Sequence, residues 1–381
     1  MLLILYPERS KQHMYKTILI SGAILFGGLY LSCASGTTKP GDTTPPKQNP
    51  GATSPDKPHP EIPPVIMHPD KISAERQAAI SKATAALMSL KLPDLYTKYV
   101  DLATMEIMDY DTMLGKLKNI QVIYVAEAHT NEAHHKLQGD ILKSLSQKNP
   151  KTALAMEFLY RSKQESIDNY TAGKITEEEF DKTNTFGEWY HYYLPMIRYA
   201  HANKIKLIGL NVEKNIKGKL FDSGWDKLTP EEQKVIAKDI DSSNKAHREF
   251  VMKQFSGMMN NPMTKDMLKG PRLERFYVMQ CMWDETFAEA IANYLKAVND
   301  PTAQVVVVAG SGHIEYKFNI PDRSYKRFPA PFKTLVPFEV NENTPVAFIM
   351  EELSSGAGDF GYFSPLSPRN DNLELPFGRK Q

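Results

Sequence analysis

Cysteine and an excess of charge of either sign are what this sequence has little of. Only two cysteines occur among 381 residues, Cys33 and Cys281. If Cys33 is modified, Cys281 has no partner, so no disulfide within the chain can stabilise the fold. Lys and Arg number 46 against 45 Asp and Glu, and no basic block is present. Without a positive field, the chain is not expected to bind nucleic acid.

The one long apolar run outside the globular part lies near the N-terminus. The basic stretch Lys11–Lys16 precedes Ile18–Leu31, an apolar run too short for a comfortable membrane span. This order is typical of an export signal, and Met14 is an alternative start to Met1. We therefore interpret residues 1–33 as a signal peptide.

The end of this signal carries a candidate lipidation site. Leu31-Ser32-Cys33 resembles the lipobox of bacterial lipoproteins, in which the cysteine is lipidated, although Tyr30 stands where an aliphatic residue is usual. The alternative is an uncleaved signal anchor with an incidental cysteine. Both interpretations predict an exported chain tethered to a bacterial membrane, which would be the outer membrane in a Gram-negative host.

Composition divides the rest of the chain into a spacer, a domain and a tail. Residues 34–70 hold ten of the 26 prolines with many Ser, Thr and Gly, too few apolar groups to offset the entropy of ordering, and read as a disordered spacer. Residues 71–353 form the predicted globular domain. From residue 354 to 381 the Gly-, Ser- and Pro-rich sequence predicts a flexible tail.

Four continuous apolar runs within the domain have the character of buried strands. Helical patterns separate them, which predicts an α/β fold: a mostly parallel sheet covered by helices on both faces. Two helical insertions are expected, a lid insertion at about 160–203 and a second at about 228–270. A further edge strand is expected at Val346–Leu353. The four runs are Val122–Val125, Thr152–Met156, Lys206–Leu210 and Gln304–Ala309.

Polar and ionisable residues follow the ends of these runs. Because the carboxyl ends of parallel strands meet at one edge of a sheet, where open α/β sheets bind ligands, we expect these side chains to form a site. Each alone could equally be a helix N-terminal charge or a structural histidine. His134 begins the helix that follows the first run. The residues at the strand ends are Glu127, His129, Glu157, Asn211 and His313.

The lid insertion is dense in aromatic side chains. Trp189, Tyr190 and Tyr193 could offer aromatic faces and a phenol to a flat apolar ligand. Alternatively, Trp189 and Tyr193, at helical spacing, simply pack against the sheet. The sequence supports both interpretations.

Taken in order, these motifs resemble the ChaN-like lipoproteins of the haem-binding-uptake and Tiki superfamily. The resemblance covers roughly Leu102 to Arg323 and agrees with the lipoprotein-like N-terminus. It rests on Ala-Glu-Ala-His at 126–129 with His134-His135, Met156-Glu157, Phe276-Tyr277 and Gln280-Cys281 with Trp283-Asp284, Ala309-Gly310-Ser311-Gly312-His313, and Ile320-Pro321-Asp322-Arg323.

The resemblance implies haem binding for iron acquisition by a membrane-tethered protein, with a homodimer as one possible assembly. In the ChaN branch a tyrosine is thought to hold the haem. No motif places that tyrosine here, so Tyr160, Tyr190 and Tyr193 at the lid insertion are the candidates. Trp189 would flank the porphyrin, and Lys or Arg side chains would pair with its propionates.

The same superfamily includes metal-dependent peptidases and is similar in fold to erythromycin esterases, which gives a second hypothesis. In it, His129 and His313 would hold a divalent metal or activate water, and Glu127 or Glu157 would move the proton. Ala126 stands where the first Gly-x-x-His motif has glycine, and alanine removes backbone freedom at that turn. This weakens the peptidase hypothesis more than the haem hypothesis. A scaffold with a decayed site, serving only as an interaction surface, is the third hypothesis.

Overall fold

A computed structural model describes residues 72–184, 190–256 and 269–367 of the chain. The signal peptide with Cys33, the spacer and Trp189 fall outside these residues. The elements alternate between strands and helices as the apolar runs indicate. The strands are β1 (Tyr99–Asp101), β2 (Glu106–Met108), β3 (Val122–Glu127), β4 (Thr152–Tyr160), β5 (Leu207–Asn211), β6 (Gln304–Gly310), β7 (Phe332–Glu339) and β8 (Phe360–Ser364).

The described helices lie before β1 and between later strands of the chain. They are α1 (Ala74–Met88), α2 (Leu92–Leu95), α3 (Tyr110–Leu117), α4 (Glu132–Lys148), α5 (Gln164–Thr171), α6 (Glu177–Asn184), α7 (Tyr190–Ala202), α8 (Lys214–Ser223), α9 (Pro230–Lys234), α10 (Lys245–Gln254), α11 (Pro271–Val298), α12 (Ile320–Arg327) and α13 (Val346–Ser354).

One eight-stranded sheet, in the order β2-β1-β8-β7-β3-β6-β4-β5, forms the centre of the molecule. The six strands from β8 to β5 run parallel, and β1 and β2 are antiparallel to their neighbours. The carboxyl ends of β3, β6 and β4 therefore lie next to one another. Because β3 and β6 flank each other in register, Glu127 is opposite Gly310.

Both faces of the sheet are covered, because successive strand residues point to opposite faces. Tyr124 of β3 packs in one buried cluster with Phe287 and Ile291 of α11. Its neighbour Val125 packs in another, with Ile141 of α4 on the opposite face. The α/β fold with a mostly parallel, two-sided sheet is confirmed.

The lid insertion is helical, as expected, and contains α5, α6 and α7 between β4 and β5. Of the second insertion, the structure describes α9 and α10. Asn131 caps the N-terminus of α4: its side chain accepts a hydrogen bond from the amide of Ala133, and this fixes the turn after β3. Asn299 caps the C-terminus of α11 in the left-handed conformation (φ 48°).

Two expectations for the C-terminal part were wrong. The segment expected to be an edge strand, Val346–Leu353, is helical in α13. The segment expected to be a flexible tail contains β8, whose five residues are all buried between β1 and β7. A short apolar run does not distinguish a helix from a strand, and the glycines around β8 concealed a strand that tertiary pairing stabilises.

Candidate functional site

The site begins at the carboxyl end of β3, where Glu127 is buried with 2% of its surface exposed. His129, two residues further on, places its Nδ1 2.7 Å from Glu127 Oε1. Burial disfavours the ionised carboxylate, but the charges of His135 and His129, with hydrogen bonds from His129 and Tyr193, lower the pKa of Glu127 to about 2. Burial likewise opposes protonation of His129, yet Glu157 and Glu127 raise its pKa to about 9. The two residues form an ion pair.

The first turns of α4 supply further donors to Glu127. Gln138 Nε2 donates to Glu127 Oε2 at 2.7 Å and to the Val125 carbonyl at 3.2 Å, so its Oε1 must face His135. His135 Nδ1 lies 3.2 Å from that oxygen and 3.3 Å from Glu127 Oε2, while its Nε2 donates to the His129 carbonyl at 3.0 Å. Both ring nitrogens of His135 thus face acceptors, and the ring anchors Glu127 and the turn.

Tyr193 connects the lid insertion to this cluster. Its hydroxyl donates a short hydrogen bond to Glu127 Oε1 and lies 3.1 Å from His129 Nδ1. Its ring stacks on Phe158 with centroids 4.4 Å apart. Burial, together with the charge of Glu127, raises the pKa of the Tyr193 phenol well above its usual value. Tyr193 is therefore a buried, neutral hydrogen-bond donor.

Glu157 occupies the space between the ends of β3 and β6. The register between β4 and β5 shifts between Met156 and Tyr160, which turns Glu157 into the site. Its Oε2 accepts the amide hydrogen of Gly310 at 2.8 Å. Its Oε1 lies 4.0 Å from His129 Nε2 and 3.6 Å from His313 Nε2. One carboxylate thus faces both imidazoles.

His313 approaches from the turn after β6 and is paired with Asp284 of α11. Its Nδ1 lies 2.6 Å from Asp284 Oδ1, and its Nε2 has no hydrogen-bond partner among the described residues. Burial alone would lower the pKa of His313, but Glu157 and Asp284 raise it. The histidines His313 and His247 oppose the effect of burial on Asp284 and lower its pKa to about 2.

A cation and an indole border the cluster on the side of β5. Asn211 Oδ1 accepts hydrogen bonds from Trp283 Nε1 at 3.0 Å and from Lys217 Nζ at 3.1 Å. The Lys217 ammonium lies 3.5 Å above the Trp283 ring, whose centroid is 4.8 Å from that of His313. Burial lowers the pKa of Lys217 to about 7 despite the nearby Glu157.

The structure brings together Glu127, His129, Glu157 and His313, with Asn211 and Tyr193 next to them. His134 is placed differently: its Nδ1 accepts the Ala128 amide hydrogen at 2.9 Å, and its Nε2 donates to Ser364 Oγ at 2.8 Å. Burial lowers the pKa of His134 to about 3, so its neutral ring ties α4 to β3 and β8.

Of the remaining lid candidates, Tyr190 contacts a carboxylate outside the cluster. The Tyr190 hydroxyl donates to Asp181 Oδ1 at 2.7 Å, and its ring lies 5.9 Å from Phe158. Burial and the charge of Glu213 raise the pKa of Tyr160. Trp189 lies outside the described residues. The lid tyrosines are therefore neutral in this arrangement.

Sequence reasoning did not assign a role to several residues of the site. Asp284 belongs to the Trp283-Asp284 motif, but the motif does not identify it as the partner of His313. Gln138 and His247 are hidden because their contacts join segments far apart in sequence. Only the fold places His247, on α10, 3.3 Å from Asp284.

Three further features concern metal ligation, membrane spanning and cavities in the part of the chain that the structure describes. No group of three or more His, Cys, Asp or Glu side chains there is arranged to hold a metal ion. None of the described helices combines the length and the hydropathy that a membrane span requires. A cavity of about 350 Å³ lies at the opposite, amino edge of the sheet, next to Ile120, Leu145 and Pro301, and none of the site residues lines it.

The fold and the site define an α/β protein with two carboxylate–imidazole pairs, Glu127–His129 and Asp284–His313, that converge on Glu157. The family model described as haem-binding uptake, Tiki superfamily, ChaN matches residues 113–323, which is more than half of the chain. The chain belongs to this family. A comparison with curated proteins gave no match.

Among solved structures, the chain is similar to ChaN of Campylobacter jejuni, described as binding haem cofacially. The identity is 16% and the TM-score 0.52, with 69% of this chain and 95% of that chain covered. This similarity concerns the fold. A mutant erythromycin esterase, EreC, in its open conformation is 9% identical with a TM-score of 0.38, covering 65% of this chain and 79% of its own. Similarity at that level carries no argument.

Proposed function

We propose that this protein binds haem at the bacterial cell envelope for iron acquisition. The observation that carries the proposal is that the haem-binding-uptake family model spans the whole cluster from Glu127 to His313. The relative from Campylobacter jejuni, whose fold is similar, binds haem. The lipoprotein-like N-terminus supports tethering through Cys33, and the resemblance supports a homodimer as the assembly.

The donor chemistry at the carboxyl edge fits haem iron. His313 Nε2 is buried and has no hydrogen-bond partner among the described residues, so an imidazole nitrogen is available for a ligand. His129 Nε2 lies on the other side of Glu157 Oε1. Lys217 supplies an amine that can donate to a propionate group, whose negative charge would favour the protonated form. Tyr193 and Tyr190 already donate to carboxylates, so His313 is the preferred axial donor and the tyrosines are the alternative.

The experiment is a haemin titration of the full chain in detergent, with detergent alone as the blank. We expect a saturable absorbance change near one haem per chain. His313→Gln should weaken binding at least tenfold, whereas His201→Gln, in the lid helix, should not. Loss of binding in Tyr190→Phe or Tyr193→Phe instead would assign a tyrosine ligand. No saturable binding by the unmodified protein would refute the proposal.

A second candidate function is hydrolysis of an ester or peptide. The specific observation is that two buried carboxylate–imidazole pairs face one further carboxylate, Glu157, which is the arrangement of a general base with its orienting acid. His313 would take a proton from water while Asp284 holds its imidazole, and His129, protonated in its pair with Glu127, would give a proton to the leaving group.

Turnover of an ester and peptide panel separates the two candidates. If the chain is a hydrolase, Glu157→Gln and His129→Gln should each abolish turnover while the circular dichroism spectrum is retained. The exposed Glu178→Gln serves as the matched control, because its carboxylate lies on the surface and pairs with the exposed Lys182. Absence of turnover by the unmodified protein on every substrate of the panel would count against hydrolysis.

A further inference from the structure

Asp284 lies between two buried imidazoles, and each imidazole directs one nitrogen at it. Asp284 Oδ1 is 2.6 Å from His313 Nδ1, and Oδ2 is 3.3 Å from His247 Nε2. All three residues are nearly inaccessible to solvent: 2% of the surface of Asp284, 2% of His313 and 1% of His247 is exposed. An ionised carboxylate has only acceptors, so both facing nitrogens must carry hydrogen.

The tautomer of His247 is fixed from its other side. Its Nδ1 lies 3.1 Å from Arg323 Nη2, and a guanidinium has no acceptor, so this nitrogen accepts and the hydrogen is on Nε2. Arg323 itself is held by a short ion pair with Glu285 and by a hydrogen bond to the Asp241 carbonyl at 2.8 Å. His247 therefore cannot exchange its donor for an acceptor without breaking this buried chain.

The consequence reaches the site through His313. Asp284 accepts a hydrogen bond from His313 Nδ1–H, so the nitrogen that faces Glu157 is Nε2. In the neutral ring, Nε2 then carries the lone pair. Its distance to Glu157 Oε1 is 3.6 Å, and no described residue is its hydrogen-bond partner. A lone pair at this position can coordinate iron or accept a proton from water, whereas an N–H can do neither.

We propose that Asp284 and His247 are positioning residues that hold His313 in the Nδ1–H tautomer and so present its Nε2 lone pair to the ligand. This proposal rests on the proposed function, since it assigns the donor atom of that same site. A purely structural role for these buried residues would require only that they pack and hydrogen-bond. The positioning role requires more: whether residue 284 is a carboxylate or an amide determines which nitrogen of His313 carries the lone pair.

Asp284→Asn provides a direct test because an amide has one acceptor and one donor where the carboxylate has two acceptors. Because Arg323 keeps Nδ1 of His247 an acceptor, the hydrogen of His247 stays on Nε2. This N–H therefore donates to the amide oxygen of the new asparagine. The amide NH2 then faces His313 Nδ1, and the hydrogen of His313 must move to Nε2. The substitution should invert the tautomer with almost no change of volume.

The measurement is a long-range proton–nitrogen correlation spectrum of the full chain labelled with nitrogen-15 histidine, with His313→Gln used to assign the signals. The spectra are recorded above the raised pKa of His313, where the ring is neutral. There we expect the Nδ1–H pattern for His313 in the unmodified protein and the Nε2–H pattern in Asp284→Asn. The control is Asp322→Asn, another buried aspartate, which contacts Lys326 at 2.8 Å and should leave His313 unchanged. Haemin affinity should fall at least tenfold in Asp284→Asn only.

Two outcomes would overturn the proposal: an Nε2–H tautomer in the unmodified protein, or an unchanged Nδ1–H tautomer in folded Asp284→Asn. The first can be observed even if the variant does not fold. Since the spectra are recorded without haem, the tautomer result does not depend on the proposed function. Tautomer inversion in a protein that binds no haem would support the positioning role and refute haem binding.

Discussion

The hydroxyl of Tyr193 donates a hydrogen bond to the carboxylate of Glu127, which joins the lid insertion to the end of the central strand. Both side chains are 2% exposed. Helix α7 is thus attached to the site by a polar contact in addition to the apolar packing of Met196 and Ile197. Displacement of α7 would remove one of the donors that keep Glu127 ionised.

Tyr193→Phe should therefore destabilise the protein by about 1–3 kcal/mol, the range for a hydrogen bond to a charged, buried group. The matched control is Tyr199→Phe, on the same helix, where the lost partner is the neutral hydroxyl of Ser146 at 3.2 Å. Its cost should be about 0.5–1.5 kcal/mol. Urea unfolding of both variants gives the comparison, and an equal or larger loss in Tyr199→Phe would contradict the prediction.

Glu127→Gln should be more severe and should alter the response to acid. The pKa of Glu127 is about 2 in the folded protein against 4.5 for an ordinary glutamate, so the unfolded chain takes up a proton first. This carboxylate stabilises the fold fully above pH 4.5, and its contribution is lost as the pH falls toward 2. Removing the charge takes from His129 and His135 the carboxylate that both contact in the interior and should cost about 3–5 kcal/mol.

Unfolding free energies measured between pH 7 and the acid limit test this prediction. Glu127→Gln should be less stable at neutral pH and should show a smaller loss of stability below pH 4.5. An acid response that matches that of the unmodified protein would show that Glu127 is not ionised in the fold.

His134 should contribute to a loss of stability that begins at a higher pH. Its pKa is about 3 in the folded protein against an ordinary 6.5, because burial keeps the ring neutral. Its contribution is present above pH 6.5 and declines as the pH falls toward 3, since the unfolded chain is protonated first. His134→Gln should remove this part of the slope and cost about 2–4 kcal/mol for a lost buried network.

Haemin affinity of folded His134→Gln, measured below its unfolding transition, should stay within about threefold of the unmodified protein, a difference of about 0.7 kcal/mol. The reason is that His134 faces Ala128 and Ser364 and not Glu157. A tenfold loss of affinity would instead make His134 a ligand-binding residue, as the sequence suggested.

Gly310→Ala should damage the site more than the fold. A Cβ at Gly310 would lie 3.1 Å from both Cε1 and Nε2 of His129 and 3.5 Å from Glu157 Oε2. The imidazole must move, so we expect haemin affinity or turnover to fall at least tenfold, with a stability loss of about 1–3 kcal/mol from overpacking. Titration and thermal unfolding of the same sample separate the two effects.

The control for that change is Gly115→Ala, in helix α3. Apart from the backbone of its own helix and its chain neighbours, no described residue has an atom within 4 Å of the added Cβ. A helix interior also favours alanine over glycine. Stability should rise by up to about 1 kcal/mol with no effect on the ligand. If Gly310→Ala and Gly115→Ala bound ligand equally well, the close approach to His129 would have no functional meaning.

The parts of the structure that the sequence predicts are those with local signals. The run before Glu127 is β-branched and continuous, and the sheet places its end beside the ends that carry Glu157 and His313, as the parallel arrangement requires. Strand limits differ by a few residues, because pairing extends β4 through the register shift to Tyr160.

The parts that could not be predicted depend on contacts between distant segments. Asp284 meets His313 and His247 only after α10, α11 and the turn after β6 pack together. His134 and His135 are neighbours in sequence, but their side chains make different contacts because successive helix residues point in different directions. Only His135 therefore reaches Glu127.

The position of β8 has a consequence for the order in which the chain can fold. This strand comes last in the sheet by sequence, yet it separates the N-terminal pair β1 and β2 from the parallel strands. Its Tyr362 hydroxyl donates to the Ala126 carbonyl at 2.7 Å, and its Ser364 hydroxyl accepts a hydrogen bond from His134 Nε2. Both contacts lie beside the site. Until the ribosome has released residues 360–364, β1 lacks its neighbour β8. The contacts of Tyr362 and Ser364 beside Glu127 also cannot form. A chain truncated before Phe360 would lose the strand that joins β1 to β7, so synthesis of residues 360–364 completes the described sheet and the site together.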